Sequence, residues 1–191
     1  MKKVFSILLA LVVLVSFVSP TFASTKTIKY TKTIVATYPK ASPTPTPMAE
    51  VNSFEMFWPI TAGKTLGESL YSLKTLKEDL RGALIFGRPQ KAEYDTFVAT
   101  KRLVEAEKLI KDNKLDLAEK TVDSANKKLT EANEILGSLK GTNLSSIADN
   151  VNNRLDRLTI FLDYLETKTN GSLKEKLQTS DRLVDELSTK I

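Results

Sequence analysis

Residues 115–139 read LDLAEKTVDSANKKLTEANEILGSL. Leu115, Ala118, Val122, Ala125, Leu129, Ala132, Leu136 and Leu139 follow one another in alternating steps of three and four. Such spacing gathers them into one stripe along a helix, a heptad seam. A strand, whose side chains change face at every residue, would scatter them. The segment therefore predicts a helix with one apolar face that needs a partner. The stretch before it supplies one. Ala92, Ala99, Leu103, Ala106 and Ile110 form a stripe, widened by Phe97, Val104 and Leu109, on a helix that opens near Pro89 and closes near Asp112. Proline is well placed in a first helical turn. The Asn113-Lys114 turn is so short that the two helices must run antiparallel. Ala92, Ala99 and Ala106 recur every seven residues, and so do Ala118, Ala125 and Ala132. Alanine at alternate seam positions predicts an axial separation near the low end of the roughly 8–10 Å range.

Three further helices flank this pair. In the first, Thr65 and Glu68 have the spacing of a capping box, and Leu66, Leu70, Leu73, Leu76, Leu80, Ala83 and Leu84 share one face up to Gly87. The helix of residues 115–139 is capped by Gly141. In the fourth, Asn143 precedes a seam of Ile147, Val151, Leu155, Leu158, Leu162 and Leu165, and Asn170-Gly171 ends it. The last, opened by Ser172 and Glu175 as a second capping box, carries Leu173, Leu177, Val184, Leu187 and Ile191. Residues 65–191 are thus predicted to form an all-α domain, an antiparallel up-down helical bundle or hairpin stack of about five helices. Its exposed faces carry mixed charge, with Glu107 and Lys111 one turn apart and the basic pairs Lys101-Arg102 and Arg154/Arg157 read as solvated.

The first 64 residues have a different character. Lys2 and Lys3 precede an apolar run from Val4 to Val18, followed by Pro20 and Thr21-Phe22-Ala23. A charged start, an apolar middle and a small residue before a polar stretch predict a bacterial-type export signal over residues 1–23, cleaved after Ala23. The rival reading is a retained membrane anchor. Fifteen helical residues rise only about 22 Å, short of a hydrocarbon core of about 30 Å. Residues 24–50 are rich in Thr, Lys and Pro and end in alternating Pro and Thr, the composition of a disordered, extended tether. Residues 51–64 hold Phe54, Phe57 and Trp58, the last being the only tryptophan. This segment is read as folding back to cap the helices, with an exposed partner-docking patch of the same three aromatics as the alternative. Pro59 and Gly63 argue against a regular helix there.

Composition excludes much chemistry. The chain has 191 residues and no Cys or His. That removes disulfides, thiolate chemistry and the commonest general base and metal ligand. Its net charge of +5 lies outside the helices. Six of the 28 Lys and Arg precede residue 51, leaving 22; only Glu50 of the 23 acids does, leaving 22 as well. A nucleic-acid domain would carry its excess on the fold itself. No phosphate-binding loop, zinc spacing or nucleophile elbow occurs. The glycosylation-type triplets Asn143-Leu144-Ser145 and Asn170-Gly171-Ser172 fall where helices need caps.

Glu68-Ser69-Leu70-Tyr71-Ser72-Leu73-Lys74 resembles the opening of a bacterial family, domain of unknown function 5667, with Ser69 where that family usually has Pro. Lys91-Ala92-Glu93, Lys101-Arg102-Leu103, Glu105-Ala106 and Leu117-Ala118-Glu119 extend the likeness over roughly residues 66–136. The resemblance implies an exported or membrane-attached helical protein and supplies no catalytic residue, cofactor or metal ligand. The expectation from sequence is a non-enzymatic extracytoplasmic protein, secreted or membrane-anchored at the cell envelope, acting as an interaction or scaffold module. Its expected partner is another envelope protein or itself, without nucleic acid or small-molecule substrate, and with membrane contact through the N-terminal segment if that is retained. The alternatives are a lipid or apolar-ligand binder, and a polyanion or cell-wall binder using the basic linker.

Overall fold

The computed structural model describes residues 51–139 and 143–191. The export signal, its cleavage after Ala23, the linker and the Gly141 cap lie outside them. Among the described residues there are six helices: α1 (Ser53–Met56), α2 (Tyr71–Ala83), α3 (Arg88–Lys111), α4 (Leu115–Gly137), α5 (Ser145–Thr167) and α6 (Gly171–Ser188). Among the described residues there is no strand. None of these helices is long and apolar enough to cross a membrane.

Helices α3 and α4 form the most extensive contact in the fold. Ala92, Ala99, Ala106, Ala118, Ala125 and Ala132 are all fully buried there. The turn between the helices closes as a Schellman motif. Asn113 takes φ +57°, Lys114 N–H donates to Leu109 C=O at 2.8 Å, and Asn113 N–H donates to Ile110 C=O at 3.0 Å. Asparagine tolerates this left-handed conformation better than most side chains. The antiparallel register is visible in Lys128 meeting Asp95 at 3.4 Å and Arg88 donating to Ser138 at 2.6 Å. A leucine at Ala125 has no room at this seam. Ala125→Leu is expected to lose about 1–3 kcal/mol, read from the midpoint of urea unfolding.

A second hairpin, α5 and α6, lies against the first. α3 touches α4 and α5, and α6 touches α4 and α5, so the four helices form a ring in the order α3, α4, α6, α5. Chain direction alternates as expected, but α4 and α5, consecutive in sequence, stand on a diagonal rather than side by side. Parallel helices α4 and α6 are locked in register by polar side chains. Asn126 Nδ2 donates to Lys176 C=O at 3.0 Å, and Asn133 Nδ2 donates to Leu183 C=O at 2.9 Å. Ser180 Oγ donates to Asn126 Oδ1 at 2.5 Å, and Lys190 Nζ to Asn133 Oδ1 at 2.7 Å. A slip along the seam would strand these groups, so they specify one alignment where leucines alone would tolerate several.

Several local expectations are corrected. Thr65 and Glu68 do pair, through Thr65 N–H at 3.3 Å and Thr65 Oγ at 2.6 Å to Glu68 Oε1. They close a turn, however, and the helix opens only at Tyr71, after Gly67 at φ +89° and Leu70 at φ +68°. Ser172 does not cap α6; its hydroxyl donates to Glu119 at 2.9 Å. Asn170 stands at the cap position without a side-chain cap bond, whereas Asn143 Oδ1 does accept from Ser145 N–H at 2.9 Å. Residues 53–56 form one helical turn despite Pro59, because Asn52 Oδ1 accepts from Phe54 N–H and Glu55 N–H.

Candidate functional site

Of the three aromatics in the 51–64 segment, Phe57 is a core residue, edge-on to Phe161 at 5.3 Å between ring centres. It is not available for docking. Phe54 and Trp58 face solvent and pack on each other at 4.8 Å. Arg157 holds the segment down by donating to Met56 C=O at 2.9 Å. The aromatic step therefore divides into one residue that staples the segment and two that remain outside.

The larger departure from expectation is α2. Its leucine face does not pack on the bundle. Leu73, Leu76, Leu80 and Leu84 are 61%, 64%, 55% and 55% exposed, and Phe86 just beyond them is 90% exposed. The opposite face, with Tyr71, Lys74, Glu78 and Gly82, rests on α3. Gly82 permits the approach, since a Cβ there would lie 3.1 Å from the Tyr94 ring. Tyr94 in turn donates its hydroxyl to Glu78 C=O at 2.9 Å.

Charge rather than apolar area joins the two helices. Arg102, expected to be solvated, is buried. Its guanidinium donates to Glu105 Oε1 at 2.8 Å and Oε2 at 3.0 Å, pairs with Glu78, and lies over the Tyr71 ring. Lys101 also pairs with Glu78. Lys74 Nζ reaches Glu105, which is fully buried, and also donates to Ala62 C=O at 3.0 Å and Lys64 C=O at 2.6 Å. Beside this network, Glu68 accepts from Lys108 at 3.0 Å. Glu107, read as a surface partner of Lys111, is itself buried and accepts from Ser53 as well as pairing with Lys111.

These surroundings shift the acids in different directions. Burial pushes the Glu105 carboxyl up, against the pull of Arg102 and Lys74. At Glu78 burial works the same way, but the hydrogen bond from Lys101 and the charge of Arg102 outweigh it and hold the carboxyl low. Burial lowers the Lys74 ammonium. The Thr65 hydroxyl, then Lys108, hold Glu68 well below the usual carboxylate range. Perturbed acid–base pairs often mark active sites. Here the three Lys74 donors are matched by three acceptors, and Glu105 is enclosed by its two cations. The geometry suits fastening of one helix to the other.

A cleft of about 230 Å³ lies beside the network, lined by Glu78, Asp79, Lys91, Tyr94 and Lys128 among others. Its wall is more apolar than polar, and it is partly open to solvent. Among the described residues no cluster of three or more acids is placed to hold a metal ion.

A separate strained point lies between α5 and α6. Asp181 Oδ1 is buried without a hydrogen-bond partner among the described residues. Burial, then Asp185, Asp163 and Glu166, raise its carboxyl above the ordinary aspartate value. A raised folded-state pKa means the charge destabilises the fold above that pKa, and the penalty fades as pH falls through it. Asp181→Asn, which can donate to the neighbouring acids, is expected to gain about 0.5–1 kcal/mol near neutrality, a partly solvated figure. Thermal unfolding at a series of pH values should show the gain shrinking on acidification.

The signal for the α2 arrangement was present in the sequence, in Tyr71, Lys74 and Glu78 facing Lys101, Arg102, Glu105 and Lys108 at matching helical intervals. Among curated proteins and solved structures, nothing matches the chain. A family model does match, over residues 63–189, from just before the Thr65–Glu68 turn to the end of α6, which is well over half of the sequence. The chain belongs to the family described as domain of unknown function DUF5667.

Proposed function

We propose that this protein is a non-enzymatic, extracytoplasmic interaction module of the cell envelope, whose working surface is the outward face of α2. The observation that carries the reading is the exposure of Leu73, Leu76, Leu80 and Leu84 on one stripe. Burying a leucine fully stabilises a fold by about 1.5–3 kcal/mol. Four leucines turned more than half outward therefore forgo on the order of 5 kcal/mol. A contiguous apolar patch of this kind marks a contact surface. The charged network holds α2 so that this face points away from the bundle. The envelope location is supported by the charged start and the apolar run of residues 4–18. The non-enzymatic reading is supported by the lack of His and Cys and by the closed hydrogen bonding around Lys74 and Glu105.

The chain has no cysteine, so single thiols can be placed at will. Full-length Leu80→Cys and Asn152→Cys, the latter on an exposed position of α5, are treated with a membrane-impermeant thiol reagent in intact cells and after purification. The thiol at position 80 is expected to react many-fold more slowly in cells, with position 152 equally reactive in both. Equal rates at position 80 in cells and in solution contradict the interaction reading. A thiol at 152 that is protected in intact cells and reactive once they are lysed contradicts the location.

A further inference from the structure

We infer that the outward face of α2 lies on an anionic lipid surface, with its leucines and Phe86 entering the acyl boundary and Lys77, Arg81 and Arg88 meeting the headgroups. This names the occupant of the face described above and rests on that reading.

Three observations favour lipid. The first is shape. The leucines stand on a 13-residue helix laid on the outside of the bundle, and Phe86 projects beyond its end. This is a ridge, and a ridge of leucine with flanking cations suits the interfacial plane of a bilayer.

The second is charge. Residues 64–91 hold six bases against three acids, while residues 92–191 hold 16 bases against 18 acids. The α2 region is thus the basic part of an otherwise slightly acidic fold. Among its acids, Glu78 is turned inward onto Lys101 and Arg102, and Glu68 is engaged by Lys64 and Lys108. Among its bases, Lys77, Arg81 and Arg88 make no ion pair among the described residues; Arg81 lies over the Tyr94 ring and Arg88 donates to Ser138. Lys77 and Arg81 are four apart and so border the leucine stripe on the same edge. From there their long stems can follow the apolar side chains while their charges reach phosphate.

The third is the preceding chain. Residues 4–18 form an apolar run behind Lys2 and Lys3. Whether it serves as an export signal or as an anchor, it takes this chain to a bilayer.

A second copy fits less well. An antiparallel two-fold pairing of α2 sets the edge bearing Lys77 and Arg81 against the same edge of its partner, like charge against like. A parallel pairing sets the two cations against Ser72 and the single acid Asp79.

Single thiols placed by Leu80→Cys, Phe86→Cys and Asn152→Cys in the full chain, each carrying a polarity-sensitive fluorophore, test the inference. The chains are mixed with vesicles of phosphatidylcholine alone or of equal parts phosphatidylcholine and phosphatidylglycerol. Labels at 80 and 86 are expected to shift to the emission of an apolar surrounding on the anionic vesicles, and the label at 152 to stay aqueous. Each Lys or Arg near an anionic surface contributes roughly fivefold in affinity. Replacing Lys77, Arg81 and Arg88 by Gln is therefore expected to weaken α2 docking by roughly 100-fold, read as return of the label at 80 to aqueous emission. Aqueous emission at 80 and 86 on anionic vesicles overturns the inference. If the thiol at 80 is nevertheless protected in cells, only the lipid occupant fails and the interaction reading stands. An equal shift on neutral vesicles overturns the role of the cations. A concentration-dependent shift at 80 without lipid overturns the inference in favour of a second copy.

Discussion

Glu105→Ala is expected to destabilise the α2–α3 contact by about 3–5 kcal/mol, the range for removing one partner of a buried ion pair. The Glu105 carboxylate is fully buried and is shared by Arg102 and Lys74. Alanine leaves both cations facing a dry contact with one acceptor fewer. Lys74 keeps its two carbonyls and Arg102 keeps Glu78, which places the effect at the lower end of that range. The damage should be local. α2 contacts α3 far less than α3 contacts α4, so amide exchange should rise throughout residues 71–83 while α3 to α6 keep their protection. Adding salt should not mimic the substitution, because buried charges are poorly screened. Replacing Lys74, Arg102 and Glu105 together by Met, Met and Leu should recover most of the loss, since apolar substitutes avoid desolvating the ions. Unchanged exchange in α2 after Glu105→Ala would show that something other than the charge network holds the helix.

The second large effect is expected at Phe161. This side chain is fully buried in α5, with Phe57 edge-on at 5.3 Å and Tyr164 stacked at 6.5 Å. Phe161→Ala should lose about 3–5 kcal/mol, combining lost apolar transfer with the cavity left behind. Its distinguishing consequence concerns the 51–64 segment. Phe57 is the aromatic that ties this segment to the bundle, and truncating its partner should release it. Digestion by a protease cutting after aromatic residues should then become fast at residues 54–58, while Phe97, half-buried in the middle of helix α3, stays protected. A variant that unfolds globally without early cleavage there would refute the stapling role of Phe57.

How much of this was legible depended on what kind of information each element needed. The α3–α4 seam could be read because alanine at a seven-residue period is itself a statement about close approach. The leucine seam of α5 was equally plain. The ring order of the helices was not, because periodicity describes one helix at a time. The alignment of α4 and α6 depends on Asn126, Asn133, Ser180 and Lys190 meeting across 50 and more residues. α2 misled for a physical reason. Its leucine stripe and its charged stripe are both regular, and a wheel cannot say which one turns inward. The rule that apolar faces are buried fails where a surface is kept for contact. Reading α2 and α3 together, with Lys74 and Glu78 set against Lys101, Arg102 and Glu105, was the step that would have exposed the inversion.

The central claim is that α2 is fastened by its charged face and presents its leucines outward. The combined substitution Leu73→Glu/Leu80→Glu in the full chain, followed by chemical denaturation, tests it most directly. Because both side chains already lie more than half in solvent, the account predicts a change within about 0.5 kcal/mol, as for ordinary surface sites. A loss of several kcal/mol, the signature of charge forced into a core, would mean that the leucines face inward and would contradict it.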